Sequence, residues 1–139
     1  RDLTPETEDG AFLARAAGQS FPERALIRLQ APIAPPAAVD LEGRALSWSD
    51  LLGETKEMIS GSDFALIEGA GGILSPLTWD STTLDLAVEL NAEMVLVVSD
   101  RLGALNQTRM AMAACEASGV PVSLVVLCTF QRRGRTSRL

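Results

Sequence analysis

Glu68-Gly69-Ala70-Gly71-Gly72 follows the apolar run Phe64-Ala65-Leu66-Ile67 without a break. An acid beside a glycine turn can hold Mg²⁺ against phosphate oxygens, because Mg²⁺ takes hard oxygen ligands and needs only one or two carboxylates beside them. Glycines let the backbone approach a phosphate closely and aim N–H groups at it. The apolar run is too short for a helix and reads as a buried parallel strand. Glu68 then stands at the carboxyl end of that strand, where open α/β sheets place their ligands. The competing reading is a strand-to-loop turn whose glycines serve geometry alone.

A second constellation is Ser99-Asp100-Arg101-Leu102-Gly103-Ala104-Leu105-Asn106. It follows an apolar stretch and precedes a helical pattern. Exposed N–H groups at a helix start favour a carboxylate or phosphate. Gly103 permits close approach, and the Asn106 amide can hydrogen-bond a polar group. An ordinary strand-to-helix turn accounts for the same residues.

These loops need elements to hold them. Thr4-Pro5-Glu6 is a helix start, with a cap, a proline suited to the first position and acids in the first turn. That helix is expected to reach Ala17, with Ala11, Leu13, Ala14 and Ala17 inward. Ala25–Leu29 alternates weakly and reads as a short strand. Ala31–Pro36 is a stiff connector before a short helix to Leu41. Ser47 caps a helix with Asp50 three residues on, and Trp48, Leu51, Leu52, Thr55, Met58 and Ile59 form its buried stripe. Helices over 81–90 and 105–117 and apolar strands over 94–98 and 122–127 complete the pattern. Apolar strands alternating with helices indicate an α/β fold, a parallel sheet with helices on both faces.

Composition narrows the chemistry. The 139 residues suffice for one domain with a core. There is no histidine and no tyrosine, which removes histidine acid/base catalysis, serine–histidine triads and most zinc sites. Cys115 and Cys128 lack ligand spacing and read as buried thiols. No apolar run is long enough to span a membrane. Arg1–Gly10 is polar and acidic, unlike a secretory signal, so a cytoplasmic location is expected. Residues 132–139 hold four of the twelve cations and none of the eighteen acids, so this tail is +4 and the rest −10. An acidic body argues against nucleic-acid binding. Residues 1–131 read as one partial domain, and 132–139 as a disordered or non-native end.

Together the motifs resemble the dethiobiotin synthase family. Ile67–Gly72, with Pro76-Leu77 beyond, is similar to that family's Glu-Gly-Ala-Gly-Gly loop. Val95–Val98 and Leu102-Gly103-Ala104-Leu105-Asn106 are similar to its Val- and Leu-rich strand and Leu-Gly-x-x-Asn turn. Ala31–Pro36 and Leu41-Glu42-Gly43 match its proline-rich connector and short helix. Glu8–Leu13 is similar to the helix that carries a metal-binding aspartate. The resemblance covers residues 5–127. It implies an incomplete P-loop NTPase-like, three-layer α/β/α fold. It also implies an ATP- and Mg²⁺-dependent ligase of biotin biosynthesis, joining CO₂ to 7,8-diaminononanoate in a homodimer. A carbamate forms on one amine, its oxygen attacks the γ-phosphate, and the second amine displaces phosphate. Positioning and charge neutralisation carry such chemistry. By the resemblance, Asp9 and Glu68 hold Mg²⁺, and Gly69, Ala70 and Gly71 border ATP. Gly72 and Pro76 border the substrate. Leu102, Gly103 and Asn106 bind its carboxylate across the dimer interface.

Departures accompany the matches. The family's P-loop ending Gly-Lys-Thr, and the lysine on its second strand, do not occur in these residues; Lys56 is the sole lysine. Cys128 stands where the family has an adenine-contacting Asn. The chain begins with Arg and ends soon after an apolar strand. It therefore reads as the middle of a synthase, lacking roughly the first 40 residues of the family pattern and the C-terminal part. By itself it is expected neither to bind ATP tightly nor to turn over. Three alternatives stay open. One is a cobyric-acid-synthase-like ATP-dependent domain. Another is a non-catalytic module dimerising through the 102–118 helix. The last is a truncated reading frame without function.

Overall fold

The computed structural model describes residues 9–18 and 27–129. The expected helix start at Thr4, most of the Ala25–Leu29 strand and the basic tail lie outside them, as does the side chain of Asp9.

Helix α1 (Asp9–Ala16) buries Ala11 and Ala14. Its buried stripe is narrower than expected, because Leu13 and Ala17 are exposed. Ile27–Leu29 is irregular rather than extended into a ladder. Helix α2 (Pro35–Leu41) opens on its two prolines, where a missing N–H costs nothing, and buries Pro36, Ala38 and Val39. Helix α3 (Trp48–Ile59) starts as expected: Ser47 Oγ accepts the Asp50 N–H at 3.1 Å. Its inward stripe centres on Leu51 and Thr55, and the Thr55 hydroxyl donates to the Leu51 carbonyl at 2.7 Å.

A small antiparallel hairpin follows, strands β1 (Pro76–Thr78) and β2 (Ser81–Thr82) around the turn Trp79-Asp80. The sequence pattern predicts loop and helix start here, and the structure forms a hairpin instead. Helix α4 (Thr83–Glu89) is therefore shorter than the expected 81–90. It begins in a capping box: Asp85 N–H donates to Thr82 Oγ1, and Thr82 N–H donates to Asp85 Oδ2. Strands β3 (Met94–Ser99) and β4 (Val122–Cys128) pair in parallel, from Met94 opposite Val122 to Ser99 opposite Cys128. Helix α5 (Ala104–Ala117) makes the crossover between them. A parallel pair requires such a connection, since no tight turn can reverse the chain twice.

Two apolar clusters meet at α4. Leu84 and Ala87 pack with Cys115 and Val120, flanked by Met94 and Val122. Leu86 packs on the other side with Leu51 and Leu77. The α4 helix thus joins the β3–α5–β4 unit to α3 and the hairpin.

The strand expected over 64–68 does not form. Phe64 to Glu68 is irregular, with Phe64 83% and Leu66 76% exposed. The physical reason is the absence of a partner. A strand exists only as a ladder of shared N–H and C=O groups. Among the described residues no backbone hydrogen bond ties 63–71 to another element. The fold is α/β and incomplete in the same sense at β3 and β4: Val95, Val97, Leu124 and Leu127 face solvent although their sequence is that of strands buried on both sides.

Candidate functional site

Glu68 therefore lies on an unladdered segment, not at the end of a paired strand. The loop after it is nonetheless built. Gly72 N–H donates to Ser75 Oγ at 2.8 Å, and Ser75 N–H donates back to the Gly72 carbonyl at 2.9 Å. The turn is then tied to α4: Thr83 N–H reaches the Ser75 carbonyl at 3.3 Å, and Leu84 N–H the Ile73 carbonyl at 2.9 Å.

Two glycines are required by this arrangement. Gly71 has φ +85°, in the left-handed region, and a Cβ there would come within 2.6 Å of Ser75 Oγ. A Cβ on Gly69 would come within 2.5 Å of Thr83 Cγ2. Only a bare backbone passes between Glu68 and the first residue of α4. Gly72 is free of such a limit. Ala70 is exposed and Pro76 begins β1, half-buried. Ser75 and Thr83 belong to this loop and the sequence reading missed them. A serine three residues after a glycine, able to bond back to its backbone, was the available signal.

Glu68 is exposed, and among the described residues nothing donates a hydrogen bond to its carboxylate. Its oxygens are thus open to a hard cation, and one carboxylate beside phosphate oxygens matches what Mg²⁺ takes. No cluster of three or more metal-ligating side chains occurs among the described residues.

The second constellation sits at the start of α5. Gly103 is the N-cap with φ +95°, and a Cβ there would meet open space. The αL backbone, not crowding, makes this a glycine position. Leu102 and Leu105 are exposed. Asn106 Nδ2 lies 3.3 Å from Met110 Sδ, one helical turn on. Met110 and Met112 are exposed as well. No hydrogen bond joins this turn to the glycine loop among the described residues. Asp9 begins α1.

Both cysteines are free. Cys115 is fully buried and burial pushes its thiol up, whereas Cys128 is half-buried at the end of β4. No helix of the described residues is long and apolar enough to cross a membrane.

A family model described as "AAA domain" matches residues 4–137. The chain is 38% identical over 127 residues to the ATP-dependent dethiobiotin synthetase BioD of Caulobacter vibrioides, covering 88% of this chain and 58% of that protein. It is 34% identical over 123 residues to the protein of the same name from Aquifex aeolicus, covering 88% and 56%. For an Anaeromyxobacter protein of that name the identity is 37% over 97 residues, covering 70% and 44%. The chain thus spans about half the length of the curated relatives it matches. The family resemblance read from the two loop motifs is borne out.

Proposed function

The chain belongs to the AAA-domain family, among its dethiobiotin synthetases, and on that premise we propose that it supplies the glycine loop and substrate-binding turn of an ATP- and Mg²⁺-dependent ligase. The substrates are 7,8-diaminononanoate, CO₂ and ATP, and the product is dethiobiotin. One observation carries this reading. Coverage of 88% of the chain leaves too few residues outside the Caulobacter match to omit either the glycine loop or the 102–106 turn.

In this reading Glu68 holds Mg²⁺ with Asp9, and Gly69, Ala70 and Gly71 border the phosphates. Mg²⁺ bound there would supply neutralisation of phosphate charge, and Glu68 with Asp9 would hold it. The loop's task is position: Gly69 and Gly71 bring the backbone close, and the bonds from Ser75 and Thr83 fix it to α4. Gly72 and Pro76 flank the substrate. The N–H groups at the start of α5, with Asn106, receive its carboxylate. The exposed Leu102, Leu105, Met110 and Met112 suit contact with a second copy, so the turn serves the partner's glycine loop in a homodimer.

These 139 residues contain no Gly-Lys-Thr P-loop and one lysine, on α3. By themselves they do not cradle a triphosphate tightly. An ATP titration of the isolated chain is expected to show no micromolar binding; micromolar affinity would refute this. The function itself is tested with the complete gene that encodes this segment. In a host lacking dethiobiotin synthetase, that gene should restore growth without biotin, and its Glu68→Gln form should not. Growth supported equally by both forms would remove Glu68 from the site. Failure of the unaltered gene, with the protein present, would overturn the reading.

A further inference from the structure

Helix α4 is a fixed neighbour of the glycine loop. A capping box sets its start, and Leu84, Leu86 and Ala87 bury it in both apolar clusters. The segment 63–71 has no such hold: among the described residues no hydrogen bond joins it to another element. The two meet at Gly69 and Thr83. A Cβ on Gly69 would lie 2.5 Å from Thr83 Cγ2 and 3.0 Å from Thr83 Oγ1.

The methyl of Thr83 makes the closer approach, so packing against Gly69 needs a valine-shaped side chain and no more. The hydroxyl is surplus to that contact. Yet Thr83 Oγ1 is cut off from solvent and has no hydrogen-bond partner. Such an orphan costs the desolvation of the group, which an apolar atom of the same shape avoids. The N–H of the half-buried Gly69 is likewise without a partner among the described residues. Of the two backbone groups, an orphaned N–H is the rarer in folded chains. An unpaired acceptor and an unpaired donor thus stand on touching residues, one on a fixed helix and one on a segment that nothing else ties down.

We propose that Thr83 is a positioning residue of the glycine loop: in the complete protein its Oγ1 accepts the Gly69 N–H and so sets where Glu68 stands. The consequence for the reaction rests on the role given to Glu68 above. The Gly69 nitrogen shares one planar peptide with the Glu68 carbonyl, so holding the first fixes the second against α4. Chemistry that works by placing groups is sensitive to such a hold, since a misplacement of about 1 Å costs on the order of 100-fold. Ser75 cannot substitute for Thr83. Its bonds hold Gly72 and the start of α4, beyond the left-handed Gly71.

The test uses the protein encoded by the complete gene and two measurements. Hydrogen exchange of the Gly69 amide reads the bond without ligand or turnover. Thr83→Val keeps the shape of the side chain and should speed that exchange about fivefold or more. The Leu84 amide, bonded to the Ile73 carbonyl at 2.9 Å, should keep its rate and so report the start of α4 intact. Thr83→Ser keeps the hydroxyl and should keep the slow exchange. In dethiobiotin formation, Thr83→Val should lower kcat about tenfold or more with KM for diaminononanoate unchanged, and Thr83→Ser should retain kcat. A Gly69 amide indifferent to Thr83→Val, Gly69 and Leu84 amides freed together, Thr83→Ser behaving as Thr83→Val, or an unchanged kcat once the Gly69 amide is freed would each overturn the proposal. An unaltered protein that forms no dethiobiotin, while Thr83→Val still frees the Gly69 amide alone, would instead refute the proposed function and uphold the bond from Gly69 to Thr83.

Discussion

Gly71 shows how one residue decides a loop. Its left-handed backbone and the 2.6 Å approach of Ser75 Oγ exclude any Cβ without rearrangement. Gly71→Ala is expected to cost about 1–3 kcal/mol, the range for a non-glycine residue held in a sparsely populated region. Adding Ser75→Ala should relieve the contact with Oγ but remove its hydrogen bond from Gly72 and leave the backbone strain, so the double variant recovers at most part of the loss in urea unfolding. The thiols differ for reasons of burial alone. Cys128 should react with a thiol reagent in the native chain, and Cys115 only as fast as the molecule opens. Labelling both at one rate would contradict the packing around α4 and α5. Burial raises the Cys115 thiol's proton affinity. Above the ordinary thiol value the unfolded chain loses that proton first, so stability falls as pH rises.

At the scale of elements, Glu42 closes the approach to α2. Its Oε1 accepts the Gln30 N–H at 2.7 Å, and its Oε2 faces Arg44. The Gln30 hydrogen bond holds the Glu42 carboxyl below its ordinary value of 4.5, and Arg44 adds to this. A carboxylate lowered on folding stabilises above its ordinary value and loses that contribution as pH falls through the folded value. The Gln30 amide shift should therefore titrate with a midpoint below 4.5, and Glu42→Gln should abolish the titration. A midpoint at or above 4.5 would show the tie to be absent in solution. The elements themselves were legible where signals are local. Ser47 with Asp50 caps α3, and the alternation of apolar segments marks β3, α5 and β4. The hairpin Pro76–Thr82 was not legible, because its strands are too short to carry a period and depend on each other.

For the whole molecule, the open sheet and the α5 face govern behaviour. Val95, Val97, Leu124, Leu127, Leu102, Leu105 and Met110 are exposed together with Phe64 and Leu66. Exposed apolar surface of this kind favours association, and unpaired strand edges add to it. Sedimentation of the isolated chain should show concentration-dependent self-association. Leu105→Glu is expected to weaken any component that runs through α5 and to leave association through the sheet intact. A chain that stays monomeric at high concentration would mean that these surfaces are covered in solution.

The candidate site divides along the same line. Glu68, the glycines and the Leu102–Asn106 turn were legible because backbone freedom and charge are properties of residue type, and their spacing pointed to the family. That Phe64–Glu68 would stand unpaired was not legible, since its apolar residues satisfy the pattern of a buried strand whether or not a neighbour is present. The roles of Ser75 and Thr83 also waited on the fold, which alone brings the loop against the start of α4. Residue type and spacing by themselves determined which segments could become strands, helices and tight turns. Tertiary structure decided which strand found a partner, because a ladder hydrogen bond belongs to two segments and neither sequence contains the other.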